Sequence, residues 1–401
     1  MLTRREQTRK TTISNNIRYT KIVKEEHVSI IAEPGSNYVG HIFPVKGTSK
    51  QITTDLLSCL KQENVEREFD ALGTDATKVN TGWKDGIITS MEKRLEKPLQ
   101  WLICLLHLNE LPLRHLFIYL DGATNGPNGF KGRIGSQLKT ASNLRVVNFK
   151  RIPCDLPELP KDVSTDQKYL YEMCNAIAKG RVSQSFELKT PGPVCHSRWL
   201  TTANRILRLY VGTATPTKQL VSLTKYIVTV YAPVWFLIKK NWKCYSGAQN
   251  FYKLIQLSRY LPAYLKKVVD PVLKRNAYFA HPENMLMSML CDDRISVRNE
   301  ALNRIITARQ NAGTLKVRVF RVPQINLAAK SYTEMINWET IKITEPPLTK
   351  RLSETELHAI CDGNVKPPSF LMPCHNQAVE RCVKVNLNSS EHNSLIFLYM
   401  L

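Results

Sequence analysis

The sequence predicts an α/β chain: a sheet domain first, then a long helical insertion, then a short last segment that returns to the sheet. Three observations carry this expectation. Residues 25–120 alternate strand-like and helix-like apolar patterns at the spacing of an α/β sheet. From about residue 162 to 310, apolar residues recur at helical intervals. Beyond 345 a proline-rich stretch leads into a final run with conspicuous polar residues. The 401 residues leave room for two or three domains, or for one core with a large insertion, and 43% hydrophobic residues suffice for a packed interior. With 22% charged residues, a disordered polyelectrolyte is excluded.

Residues 1–24 carry Arg4, Arg5, Arg9, Lys10, Arg18, Lys21 and Lys24 against one acid, Glu6. With no apolar period they read as a flexible basic arm, able to touch phosphates or an import receptor, and equally as a solvated tail. His27–Ala32 is a short strand, Glu33-Pro34-Gly35-Ser36 a turn, and Tyr38–Val45 a second strand closed by Lys46 and Gly47. Thr53–Glu63 has helical spacing through Leu56, Leu57 and Leu60, and Phe69–Thr74 reads as a strand ending at Asp75. Gly86–Leu95 is an amphipathic helix stopped before Pro98. Leu99–Leu106, apolar apart from Gln100, has the pattern of a strand buried on both faces, and Leu113–Leu120 is helical. The run Asp121–Gly129 is an exposed loop.

Trp199–Tyr210, Leu220–Lys239, Gln249–Tyr260 and Ile295–Arg309 are helical, with Pro262 and Pro271 as breaks between them. Val317–Val322 is a strand candidate, and the Pro346-Pro347 and Pro367-Pro368 pairs form a linker to Leu371–Leu401. The expected organisation is a basic arm (1–24), the first part of the α/β core (25–150) and a mostly helical insertion (151–345). A return segment with an acidic helix (346–385) and a divergent tail (386–401) complete it.

A net charge of +22 calls for an acidic partner, because self-repulsion opposes compaction. Nucleic acid is the commonest such partner, since its phosphates attract Lys and Arg whatever the base sequence. The ten cysteines are scattered, without a CxxC pair, and the polar, basic start has no signal-peptide pattern. Together these fit the cytosol or the nucleus. The longest apolar stretch, Tyr226–Ile238, contains Pro233 and is too short for a bilayer; it reads as a buried helix or core strand, so no membrane partner is expected.

Four segments hold residues with chemical potential. Asp75, at the end of an apolar strand before a small-residue turn, sits where α/β sheets place metal-binding carboxylates; it would equally cap the next helix. Cys104-Leu-Leu-His107 is at most half a zinc site, and with no second pair nearby His107 reads as a residue that orders the strand end. Glu110 follows as a further acid near the same edge. Arg198 and Trp199, with Arg205 beyond, can contact phosphates and stack on a base, or form a core tryptophan with a surface neighbour. A helix beginning near Gln377 puts Glu380 in its first turn, as a metal ligand or as a complement to the helix dipole.

The order of these segments resembles the hAT superfamily of cut-and-paste DNA transposases, in a branch expanded in arthropod genomes. The matching pieces are Asp75 with Val79–Gly82, the run Cys104–His115 ending in LNELPLRH, Ser197–Arg205 and Pro373–Lys384. Tyr278–Asn284 and Glu345–Leu348 look like that branch too, so the resemblance covers roughly residues 24–385. It implies an RNase H-like mixed sheet split by an all-helical insertion. It implies three acids holding two Mg²⁺ ions for strand cleavage and transfer. By position Asp75 matches the second acid, Glu380 the third, and Trp199 a tryptophan that helps hold a flipped base. Homo-oligomers are implied by the same analogy.

The first acid belongs on the opening strand, upstream of Lys24-Glu25-Glu26-His27, and Met1–Val23 holds no Asp and only Glu6. Glu33 belongs to the turn of the family's second strand and reads as structural. The core is thus expected to be N-terminally incomplete, and the tail Asn386–Leu401 no longer looks like the family. The expected function is a transposase-derived DNA-binding protein, catalytically impaired. An active Mg²⁺-dependent transposase and a protein-interaction scaffold are the alternatives.

Overall fold

The computed structural model describes residues 4–14, 17–33, 37–66, 68–124, 129–161, 163–193, 199–241, 243–312, 318–365 and 397–400. The chain is mixed α/β and mostly helical. Its strands are β1 (Arg4–Ser14), β2 (Ile17–Glu33), β3 (Asn37–Ile42), β4 (Ala71–Thr74), β5 (Gln100–Ile103) and β6 (Phe397–Met400). They run in the order β1-β2-β6-β4-β5, with β3 also paired to β2. β2 is antiparallel to β1, β3 and β6, whereas β6–β4 and β4–β5 are parallel.

Two expectations are corrected here. The basic segment 1–24 is not an arm without structure: Arg4–Ser14 pairs with Ile17–His27 as an antiparallel ribbon. Thr8, Thr11, Thr12 and Ile13 favour extended backbone, and the pairing runs from Arg4 opposite His27 to Ser14 opposite Ile17. The divergent tail contributes a strand. Phe397–Met400 lies between β2 and β4, opposite Ile30–Glu33 on one side and Leu72–Gly73 on the other.

β4 and β5 are buried at every residue, as short parallel strands covered on both faces must be. The crossover between them contains α2 (Lys78–Thr81) and α3 (Ile87–Leu95). Preceding β4 is α1 (Ser49–Gln62), whose N-terminus is capped by Thr48 and which buries Ile52, Leu56 and Leu60 against β3 and α3. The apolar run Leu99–Leu106 divides: β5 ends at Ile103, and α4 (Leu105–Asp121) starts after Cys104 and passes through Pro112. Continuous apolarity does not separate a buried strand from a buried helix start, which is why the expected strand ran on to Leu106.

The helical part begins with α5 (Thr165–Lys179), α6 (Gln184–Glu187) and α7 (Trp199–Val211). It continues through α8 (Lys218–Tyr226), α9 (Ala232–Lys240), α10 (Gly247–Ser258) and α11 (Ala263–Arg275) to α12 (Pro282–Leu290) and α13 (Ile295–Gln310), and α14 (Glu354–Cys361) follows. A π-helical turn, Ile227–Tyr231, joins α8 to α9. Lys218–Lys240 is thus one stretch of 23 residues with mean hydropathy 1.5; it is long and apolar enough to cross a membrane, yet 72% of its apolar window is buried inside the fold.

Pro262 does precede a helix as its N-cap, but Pro271 lies inside α11 rather than ending it. Residues 318–322 form no strand; Phe320 is buried and Val319 exposed. Pro346-Pro347 is not an exposed linker, since Pro347, Leu348 and Thr349 are buried in a short 3-10 turn. Pro367 and Pro368 lie outside the described residues.

One apolar core runs from the sheet into the helices. Polar side chains lock the two parts together: Gln100 donates to Asn284 at 2.8 Å, Asn284 donates to the Trp101 carbonyl at 3.1 Å, and Asn109 donates to the Tyr231 carbonyl at 2.9 Å. Each is buried, so each bond must be made or the group would stand desolvated and unpaired.

Candidate functional site

The carboxyl ends of a parallel strand pair are where open α/β sheets place ligands, and here that edge carries Asp75 after β4 and Cys104 with His107 after β5. Asp75 is 3% exposed. Its Oδ1 accepts from the Thr77 backbone N–H at 2.9 Å and from the Asn80 side-chain amide at 2.8 Å. The first bond is a local turn that leads the chain into α2, which is the capping role expected as one alternative. Burial works against the Asp75 charge, but neighbouring positive charge, His107 included, and the Thr77 hydrogen bonds hold its pKa below the ordinary carboxylate value. Burial pushes His107 below its ordinary value, against the pull of Asp75 and with Arg114 adding to the push. The edge therefore sets a carboxylate whose pKa is held down beside an imidazole whose pKa is also held down, each working on the other's charge. Tyr278 reaches this edge from the helical part, donating to Thr81 Oγ1 at 3.0 Å.

The metal expectation named Asp75 and Glu380. Glu380 lies outside the described residues. Among the described residues no three His, Cys, Asp or Glu side chains converge as a metal site, and the Asp75 Oδ1 is taken up by Thr77 and Asn80. Glu33 is no replacement. It is buried at the end of β2, opposite Phe397, and the register sets Leu398 beside Leu72 and Tyr399 beside Gly73. Glu33 thus marks the entry end of β6 and β4, whereas Asp75 lies past their exit. The residues of β2 level with the Asp75 edge are Ile30, Ser29 and Val28, none of them acidic.

The DNA-contact expectation for Trp199 and Arg205 is corrected by their burial. Trp199, 4% exposed, packs edge-on to Phe117 with ring centroids 5.6 Å apart. Arg205 donates to the carbonyls of Gly192 at 2.8 Å, Leu138 at 2.8 Å and Lys139 at 3.1 Å. With a longer bond to the Pro191 carbonyl at 3.5 Å, its N–H groups tie four loop carbonyls to α7 and are turned inward. Arg198 lies outside the described residues. Cys104 precedes the first turn of α4 and is buried, which fits a structural role for the Cys104–His107 pair and not a zinc half-site.

Two surface features escaped the sequence reading. Trp83 is 48% exposed, with the Lys84 ammonium and the Arg321 guanidinium each 4.9 Å from its ring. A signal for it was present, because Trp83 stands in a polar run between Gly82 and Gly86. The second feature is an open concavity of about 730 Å³ beside α5 and α6, where Lys179, Arg181 and Lys189 stand with Ser183, Ser185 and Phe186. Lys189 is already paired to Glu172 at 2.8 Å.

Comparison with protein-family models, with curated proteins and with solved structures found no match for the chain.

Proposed function

We propose that this is a transposase-derived nucleic-acid-binding protein, impaired in DNA strand cleavage and transfer, built on an RNase H-like mixed sheet with a helical insertion. The observation that carries the reading is the net charge of +22. It gains support from exposed cations beside aromatic rings at Trp83 and beside α6. The sheet gives the fold reading its support, since an antiparallel β2–β3 pair is joined through one central strand to a parallel β4–β5 pair. Impairment is supported by the register that keeps Glu33 at the far end from Asp75, and by a central strand, Phe397-Leu-Tyr-Met400, that has no acid. The scattered cysteines and the polar, basic start support action in the nucleus or cytoplasm, and the resemblance alone supports a homo-oligomer.

The test is fluorescence anisotropy with labelled duplex DNA across a salt series, together with a cleavage assay in Mg²⁺ or Mn²⁺. The expected result is affinity that falls steeply with salt and no nicking above background. Salt-insensitive binding, or none at low salt, overturns the reading. Cleavage that disappears in both Asp75→Ala and Glu380→Gln would establish the active transposase instead.

A further inference from the structure

We propose that Trp83, flanked by Lys84, Lys93 and Arg321, is a stacking platform for an unpaired base of single-stranded nucleic acid; the proposal rests on the nucleic-acid reading above and names its ligand. The first argument is exposure. Trp101 and Trp235 are fully buried and Trp199 nearly so, whereas Trp83 keeps about half of its surface in water. A single exposed apolar side chain is ordinary on a surface, so the exposure counts here because it leaves a large flat ring within reach of a ligand.

The second argument is rigidity. The Gly86 N–H donates to the Gly82 carbonyl at 2.7 Å and closes a tight loop around Trp83, Lys84 and Asp85. A Cβ on Gly86 would lie 2.4 Å from the Gly82 nitrogen, and one on Gly82 would lie 2.8 Å from the Lys78 carbonyl oxygen, so the loop has this shape only because both positions are glycine. Helix α3 pins the loop, with Thr89 donating to the Gly82 carbonyl at 3.1 Å and Lys93 donating to the Lys84 carbonyl at 2.8 Å. The ring is held outward by a fixed frame, which lowers the ordering cost of binding.

The third argument is charge. The ammonium of Lys84 and the guanidinium of Arg321 are each 4.9 Å from the ring, and Lys93 reaches the same loop, against one exposed acid, Asp85. An aromatic face beside several cations matches a nucleotide, whose base stacks while its phosphates meet the cations. Both cations are on exposed side chains that can swing from ring to phosphate. A duplex buries its base faces against one another, so the ligand is a single strand, a loop or a splayed end.

The test compares wild type, Trp83→Phe and Trp83→Ala with an oligothymidylate of about 15 nucleotides and a duplex of equal length, by anisotropy at fixed salt. Trp83→Ala is expected to weaken single-strand binding by about 5- to 150-fold. Trp83→Phe is expected to recover part of that loss, and duplex affinity to change by less than about twofold. Quenching of tryptophan emission by the single strand is expected in wild type and reduced in Trp83→Phe, which supplies a reading even if the alanine variant is poorly folded. If wild type and both variants bind the single strand equally and quench alike, the platform is overturned while the nucleic-acid reading stands. If wild type binds neither ligand at low salt, both fall together.

Discussion

Arg318 shows how one buried charge decides local stability. Its guanidinium is ion-paired to Glu92 and Glu283, two carboxylates that are almost fully buried, and it donates to the Leu99 carbonyl at 2.6 Å. Burial raises the Glu92 pKa even against the pull of Arg318, so the cluster holds only while the cation is present. Arg318→Met is therefore expected to cost about 3–5 kcal/mol, measured by urea denaturation, because it leaves two carboxylates without a counter-charge. His281 lies against this cluster, its ring 4.0 Å from that of Phe320, and burial, aided by Arg318, holds its pKa well below the ordinary value. A group whose folded pKa is depressed takes up its proton first in the unfolded chain. The stabilising effect of the neutral ring is thus complete above the unfolded pKa of about 6.5 and is lost progressively as pH falls below it. The melting temperature is expected to drop between pH 7.5 and 5.5, and His281→Phe to flatten that drop; an unchanged slope in the variant would assign the lability elsewhere. Asp75 belongs to the same scale. Its alanine variant strands the Thr77 N–H and the Asn80 amide, for an expected loss of about 1–3 kcal/mol with or without Mg²⁺. A melting temperature raised by Mg²⁺ in wild type and not in the variant would restore the metal reading. Asp75 was legible because a strand end followed by small residues is a local pattern. The interior place of Trp199 was legible as one of two alternatives, but that of Arg205 was not, because an arginine looks alike on a surface and in a core; the carbonyls of residues 138, 139 and 192 distinguish them.

Among the elements, β6 carries the largest consequence for the sheet. It supplies backbone partners to Ile30–Glu33 and to Leu72–Gly73, in a position where both neighbours are otherwise buried strand edges. Tyr399 faces Ile31 and Gly73 in the ladder, and proline there removes an N–H and cannot be housed in a central strand. Tyr399→Pro is expected to speed hydrogen–deuterium exchange at residues 28–33 and 71–74 while leaving α8 to α10 protected; unchanged exchange at β2 and β4 would mean that the sheet does not depend on this strand. The helices Trp199–Tyr210, Gln249–Tyr260 and Ile295–Arg309 were readable to within a few residues, since their 3.6-residue apolar period is written locally. Strand β6 was not, because its partners sit near residues 30 and 72 and pairing over that separation leaves no mark in the four residues themselves. Pro271 misled for a related reason. Proline removes one hydrogen bond from a helix, and the packing of Leu265, Val269, Val272 and Leu273 outweighs that loss in α11.

At the scale of the whole molecule, the imbalance of 56 basic against 34 acidic residues sets the behaviour, and composition alone reveals it. Much of the positive charge has no internal partner of matching strength, and a surface at this potential attracts polyanions before any specific contact is made. The core takes up little of the excess: Arg318 is neutralised by Glu92 and Glu283, and Arg205 and Arg208 are two buried cations held by backbone carbonyls. Binding to DNA should then be governed by released counterions. With about 6–10 phosphates contacted, affinity is expected to fall by roughly 10³- to 10⁵-fold between about 50 and 200 mM salt. Removing a single contact such as Arg321 should reduce the slope of log affinity against log salt by about one unit. Charge reversal at Arg321 with an unaltered slope would show that the Trp83 surface stays outside the footprint, and attention would move to the cations beside α5 and α6. A slope near zero in wild type would show that the positive charge serves another acidic partner, and the protein-interaction scaffold would become the better account of the chain.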